Sequence, residues 1–527
     1  MNPTTGTTGK GALLLHGRIT AVKALVAISL TISALACSRP APSPPGEASP
    51  GRAMRTLPPV SLAVLPDGDF GEWQGLEPAW RDPSGDGAPG GLDLGSLYVA
   101  DDGETLFLAL EVGREVILQN DLDEPAGSDL TLRLSSGEGA TSSPGAEIRL
   151  GRRQVLLTPP APHGKSPTPG AFGLQTLPTH SGERFEIRVP LPDGNGNSVR
   201  FAFQDGPEDS DGDRLPDRGF LTYHPSGRTL APPQAIPLDR PDTPSPTLRI
   251  LSLNLNRRLG DARSDPADEA SHRRILQALR PDVVAFQELY EWSADQAVAW
   301  VTEVLGPPAD DQDGGEWHGA KSGDCVTVSR FPIAASAPVD NNLVTHLDLP
   351  KALSARELVL FNAHPPCCDD EAGRDREMDH LAATWRDLLA GTGPFRIDPQ
   401  APAVFLGDFN LVGFRRQLEA LREGRFVDPR NGPAFHPGRG RGSLATVLLR
   451  HSHARHAYTW RDDTSSYAPG RLDWILYTGD SVQPVRSYIL DTGSLPPEVL
   501  ERWRLEPEDS ERASDHLALV VDLRFPG

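Results

Sequence analysis

The chain is poor in cysteine, short of positive charge, and free of any detectable internal repeat. Only four cysteines occur in 527 residues. No Cys-x-x-Cys pair is among them, which removes the common zinc pattern, and no thiol chemistry is expected. Fifty-one Lys and Arg face 72 Asp and Glu, a net charge of -21. That argues against whole-surface attraction to nucleic acid or anionic lipid, while leaving room for a locally basic site. The apolar run Ala24–Ala36, "ALVAISLTISALA", is too short to span a bilayer. What the chain has in quantity is glycine and proline, 51 and 52, which favour many turns and long linkers. The length implies two or three domains.

The short apolar run suits an export signal, because Lys10, Arg18 and Lys23 precede it and Cys37 follows. "ALAC" resembles a bacterial lipobox, with its leucine one place later than usual. Residues 1–37 are therefore expected to be a signal peptide of lipoprotein type with Cys37 lipidated; cleavage nearby and retention as an anchor are the alternatives. A Pro/Ser-rich tether at 38–56 should be extended and disordered. The expected location is extracytoplasmic, on a bacterial membrane or secreted. Of the other cysteines, Cys325 bonds to one of Cys367 and Cys368, or all three are unpaired.

Region 57–230 alternates apolar and polar residues in short runs such as "TLFLALEV", "DLTLRL" and "RFEIRVPL", the pattern of an all-β sandwich. "PDGDFGEW" and "LYVADDGETLFLALEV" resemble carbohydrate-binding modules of the family-nine-like type. The resemblance implies an accessory module with a glycan as ligand, and Trp73 and Trp80 either stack on a sugar or pack. "DSDGDRLPD" places Asp209, Asp211, Asp213 and Asp217 at positions one, three, five and nine of a loop. That spacing suits a structural Ca2+, with Phe220 where an EF-hand would have glutamate. The stretch resembles thrombospondin-type calcium loops; a plain acidic turn is the alternative. A Pro-rich linker, 231–246, follows.

Region 247–527 alternates strands and helices, and its apolar strands end in polar groups. "LRILSLNLN" aligns Asn254 and Asn256 on one face, and "AVFLGDFN" aligns Asp408 and Asn410. "VVAFQEL" ends in Gln287 and Glu288, and "LVLFNAHPP" in His364; Asp473, Asp515 and His516 come later. Carboxylates and amides gathered without thiolates favour a hard cation, Mg2+ or Mn2+. A metal, two histidines and a carboxylate poised for water are what phosphoester hydrolysis requires.

In this order, "QE", "GDFN", "RLD" and "SDH" resemble the endonuclease/exonuclease/phosphatase superfamily, the fold of pancreatic deoxyribonuclease. The resemblance implies an α/β four-layer sandwich, two packed sheets flanked by helices, with the site at one rim. It implies metal contacts at Asn254, Glu288 and Asp515. Catalytic roles fall to His364, Asp408, Asn410, Asp473 and His516, with Asp473 holding His516; the other reading of Asp473 is a salt bridge to Arg471. Tyr458 and Trp460 read as packing beside the site, and "HSHARH" as an exposed loop. Between Gly413 and His456, nine arginines face three acids, either a solvated face or a polyanion-binding rim. The expected function is an extracytoplasmic, metal-dependent phosphodiesterase or nuclease. The alternatives are a phosphatase or phospholipid headgroup hydrolase, and an inactive glycan-binding lipoprotein. No protein partner is expected.

Overall fold

The alternating runs of the first region form two β-sheets that bury their apolar faces against each other. One sheet has five strands, in the order Trp80–Arg81, Ser96–Asp101, Thr105–Val116, Gly182–Pro190 and Gln175–Leu177. The other has seven and is built around Leu130–Ser136 and Val199–Asp205. Leu97, Leu106, Leu108 and Leu110 of the first meet Leu132, Phe201 and Phe203 of the second in one core. This is a computed structural model, and its described residues are 55–526 without 125, 138–144, 161–163, 192–197, 208–209, 262–263, 309–314 and 439–441. The export segment, Cys37 and the tether as far as residue 54 lie outside them. Arg55 and Thr56, which composition assigns to the tether, pair with Leu221 and Thr222 in a strand. Among the described residues no helix is long and apolar enough to cross a membrane.

The second region stacks two six-stranded sheets between helices. Strand Leu248–Asn254 shows how alternation builds the layers. Leu251 and Leu253 pack outward beneath helices Pro266–Leu279 and Ala294–Leu305. Leu248 and Ile250 face inward, where they meet Leu360, Val404 and Leu406 of the other sheet. Strand Ala403–Asp408 is the mirror case: Phe405 packs with Trp385 of helix Glu371–Leu389, while Val404 and Leu406 point between the sheets. Side chains repeat every second residue, so Asn254 and Asp408 also point between the sheets, at their strand ends. The first helix starts earlier than its apolar stripe predicts. Asp265 caps it through the amides of Ala267 and Asp268, with Pro266 at the first turn.

The Pro-rich segment 231–246 lies against the second region. Ile236 N donates to Ser452 O, and Leu238 is buried in that region's core. The sandwich is docked there too. Ser181 N donates to Gly413 O at 2.8 Å, Thr179 Oγ1 to Arg471 O at 3.0 Å, and Ala468 N to Gln119 Oε1 at 2.9 Å. Ala468, from the second region, is buried in the sandwich core.

Buried Arg249 ties the Pro-rich segment to the second region. It makes two 2.8 Å bonds to Asp522 and donates to the carbonyls of Leu238, Leu279 and Asp239. Removing one partner of a buried ion pair strands the other charge, at a cost of about 3–5 kcal/mol. Arg249→Ala is expected to lower the unfolding free energy by about that amount in urea titrations. An unchanged midpoint contradicts this role.

Candidate active site

Strand pairing, parallel at Asn254 and Ala363 and antiparallel at Asp473, brings the polar strand ends together. Asn254 sits beside Gln287 in one sheet, while Ala363 pairs with Gly407 and Asp408 with Asp473 in the other. Gly407 has φ +130°, and a Cβ there would lie 2.1 Å from Ala363 O. That close approach explains the glycine of "GDFN". Glu288 and Asn410 follow their strands with φ +59° and +48°. Such left-handed residues are uncommon, and here they turn the chain sharply at the rim.

Asp408 is the centre of the arrangement. Its Oδ2 accepts from Asn254 Nδ2 at 3.0 Å and stands 3.6 Å from both His364 Nε2 and His516 Nε2. Each ring is propped from behind: His364 Nδ1 lies 2.6 Å from Asp324 Oδ2, and His516 Nδ1 lies 2.8 Å from Asp473 Oδ2. Burial opposes charge on both rings, but the facing carboxylates outweigh it. Asp324 and Asp408 hold the His364 imidazolium up to about 9. Asp473 and Asp408 hold that of His516 up to about 10. Burial pushes the Glu288 carboxyl up, partly countered by His364 and by Asn254, whose Nδ2 donates to Glu288 Oε1 at 3.2 Å. Trp460 Nε1 donates to Asp515 Oδ2 at 2.9 Å.

The sequence model of the Endonuclease/Exonuclease/phosphatase family matches residues 251–516. The chain belongs to the endonuclease/exonuclease/phosphatase family. Solved structures of similar fold include a TDP2 of D. rerio humanized by 14 mutations, 17% identical over 53% of this chain and 99% of that one, TM-score 0.32. The human Nocturnin catalytic domain with bound sulfate is 18% identical over 54% and 96%, TM-score 0.32. A Bacteroides vulgatus endonuclease/exonuclease/phosphatase is 14% identical over 53% and 99%, TM-score 0.35. No curated protein matches the chain.

As a member of this family, the chain gathers Glu288, His364, Asp408, Asn410, Asp515 and His516 around one cleft, with Asn254 and Asp473 behind them. The donor set fits a hard divalent cation. The carboxylates of Glu288, Asp324, Asp408 and Asp473 outnumber the two imidazoliums they surround, an acidic excess that a divalent cation would offset. Asp408, Asp473 and His516 also bring three ligand atoms within 4.8 Å. His516 is the poorest of them for a metal, because its Nδ1 is committed to Asp473 and its ring is charged. Glu288, Asp408 and Asp515, with the amide of Asn254, are the better oxygen set.

Several expectations are corrected. Asn256 and Asn410 do not share the strand faces of Asn254 and Asp408, because the strands end at Asn254 and Asp408. Asn410 Nδ2 instead donates to Pro365 O, and Asn256 N to Asn254 Oδ1. Arg471 does not pair with Asp473; its guanidinium stacks on Trp474, 3.9 Å from the ring centroid. "HSHARH" is not an exposed loop. His451 is fully buried, and His456 Nδ1 meets Gln175 of the sandwich at 3.0 Å. Cys367 bonds to Cys368, while Cys325 is buried and free, enclosed by Ala320 and Leu343.

The calcium loop does not close on itself. Asp209 lies outside the described residues; Asp213 groups with Asp86 and Asp93, Asp217 groups with Asp82 and Asp86, and Asp211 joins neither group. Asp213 is already engaged by the amides of Leu94 and Arg214. Trp73 is buried, with its Nε1 on Glu186, so it cannot stack on a sugar. Trp80 packs partly buried against the sandwich core.

Among the described residues, the arginines of the arginine-rich stretch do not line the cleft, although Phe414 does. Arg439 and Arg441 lie outside the described residues. Arg415, Arg416, Arg422, Arg425 and Arg430 pair with nearby acids. Arg450 and Arg455 donate to the carbonyls of Gln234 and Ala231. None of these seven lines the cleft. Asp324 is the residue that sequence reasoning missed. It sits at the turn between strands His318–Ser322 and Cys325–Ser329, where "SGDC" reads only as a hairpin.

The raised imidazoles link stability to pH. Both rings are protonated, folded or unfolded, below the ordinary histidine value near 6.5, so their stabilising contribution is complete there. It is lost as pH rises through about 9 at His364 and about 10 at His516. In metal-free protein, urea titrations are expected to show stability falling across that window. Asp324→Asn should remove the His364 part and Asp473→Asn the His516 part. A flat wild-type profile from pH 6.5 to 10 contradicts the charged rings.

Proposed function

We propose that the protein is a divalent-metal-dependent phosphodiesterase that acts outside the cytoplasm, attached to a bacterial membrane through Cys37. One observation carries the reaction class: two carboxylate-backed imidazoliums stand 3.6 Å from the same carboxylate, Asp408. A hydrolase for phosphate esters needs a base for water and fixed positive charge for the developing phosphorane oxygens. Asp408 fits the base, since Asn254 orients it and the two rings flank it at 3.6 Å. His364 and His516 fit the donors to phosphate oxygens, and His364 is also placed to protonate a leaving oxygen. Mg2+ or Mn2+ held by Glu288, Asp408, Asp515 and Asn254 would supply Lewis-acid stabilisation of phosphate charge. The basic run before "ALVAISLTISALA" and the cysteine after it support export.

Glu288→Gln and Asp408→Asn are each expected to leave the fold intact and to cut kcat on an aryl phosphodiester by a factor on the order of 100 or more. Chelator should abolish turnover, and Mn2+ or Mg2+ restore it. Full activity of either variant, or of wild type in excess chelator, overturns the proposal.

A further inference from the structure

The cleft that holds the catalytic side chains is built by both halves of the chain. It encloses about 1390 Å³. Glu288, His364, Asp408 and His516 come from the second region, and Gln119, Asp121, Glu124, Arg153 and Thr179 from the sandwich. The sandwich wall is pinned at the seam. Gln119 accepts from Ala468 N at 2.9 Å and donates to Thr176 Oγ1 at 3.1 Å. The Arg153 guanidinium lies over Tyr467, 4.6 Å from the ring centroid, and donates to its hydroxyl and to Gln119 O. These contacts hold the loop Gln119–Glu124 beside the site as a fixed part of it.

The lining of this cleft is strongly acidic. Asp121 and Glu124 add to Glu288, Asp324, Asp369, Glu371, Asp408 and Asp515, and among the described residues only Arg153 and Arg257 oppose them outside the two imidazoliums. Both arginines are engaged already, Arg153 at the seam and Arg257 with Asp261 at 3.0 Å. A polynucleotide threading past Asp121 and Glu124 would bring its phosphates into the field of an acidic lining, which reaches a Debye length, about 8–10 Å. A substrate with a single phosphodiester needs only the catalytic groups. Resting on the phosphodiesterase reading, we infer that the sandwich is a wall of the substrate cleft, and that Asp121 and Glu124 restrict the substrate to a compact phosphodiester with one negative charge.

The test compares the full chain with its Asp121→Asn/Glu124→Gln double variant. The substrates are bis(4-nitrophenyl) phosphate and oligothymidylates of increasing length, at low and high salt. Wild-type kcat/KM should fall as the oligomer lengthens. In the double variant, the ratio of kcat/KM on the longest oligomer to that on the aryl ester should rise about fivefold at low salt, and salt should shrink the difference. A second readout needs no turnover: in an Asp408→Asn background, the labelled oligomer should bind the double variant about fivefold more tightly, by anisotropy. Wild-type kcat/KM that rises with length, or equal oligomer affinity with and without the two carboxylates, overturns the inference. Absence of turnover on every phosphodiester, with the affinity difference intact, supports the charged wall and refutes the phosphodiesterase reading alone.

Discussion

A carboxylate buried between two sheets is costly unless something nearby carries positive charge. At Asp408 that charge comes from His364 and His516, each with Nε2 3.6 Å away. The rings are charged in turn because Asp324 and Asp473 hold their far nitrogens. The five groups form a chain of alternating sign, in which removal of any member weakens the charge compensation of its neighbours in a low dielectric. The chain also sets the demand for a cation, since Glu288 adds a further, partly buried carboxylate at its edge.

The sheets exist in the form this chain of charges needs. Inward-facing aliphatic residues such as Ile250, Ala285, Leu360 and Leu406 hold the two sheets together below the strand ends. Just beneath the site a buried polar bond crosses between them, from Gln287 Nε2 to Asn362 Oδ1 at 2.7 Å. Beyond it, positive-φ residues Glu288 and Asn410 end the strands abruptly. The rim is therefore rigid at its base and polar at its lip, which suits preorganised electrostatic catalysis.

The sequence made the four-layer fold and most of the gathered side chains legible, because alternation fixes which way Asn254 and Asp408 point and the motif order fixes the rest. It was silent where no periodicity exists. Asp324 occupies a hairpin turn, a position aspartate takes for many reasons. Asn410 lies one step beyond the point where alternation applies. Docking of the sandwich rests on contacts such as Gln119 with Ala468, 349 residues apart, between a side chain and a backbone amide, and these leave no pattern in the chain. The buried histidines 451 and 456 misled for a related reason: a polar cluster reads as surface until the partner that covers it, here Gln175, is in place.

Membership of the family gives the fold, and the side chains here add a specific electrostatic claim that both imidazoles are charged because of Asp408 as well as their own partners. Imidazole titration by nitrogen NMR, on metal-free wild type and Asp408→Asn, tests it most directly. The account predicts two high-titrating histidines in wild type, near 9 and 10, and a downward move of both in the single variant. Two histidines that titrate near the ordinary value in wild type, or a variant in which neither moves, would contradict it.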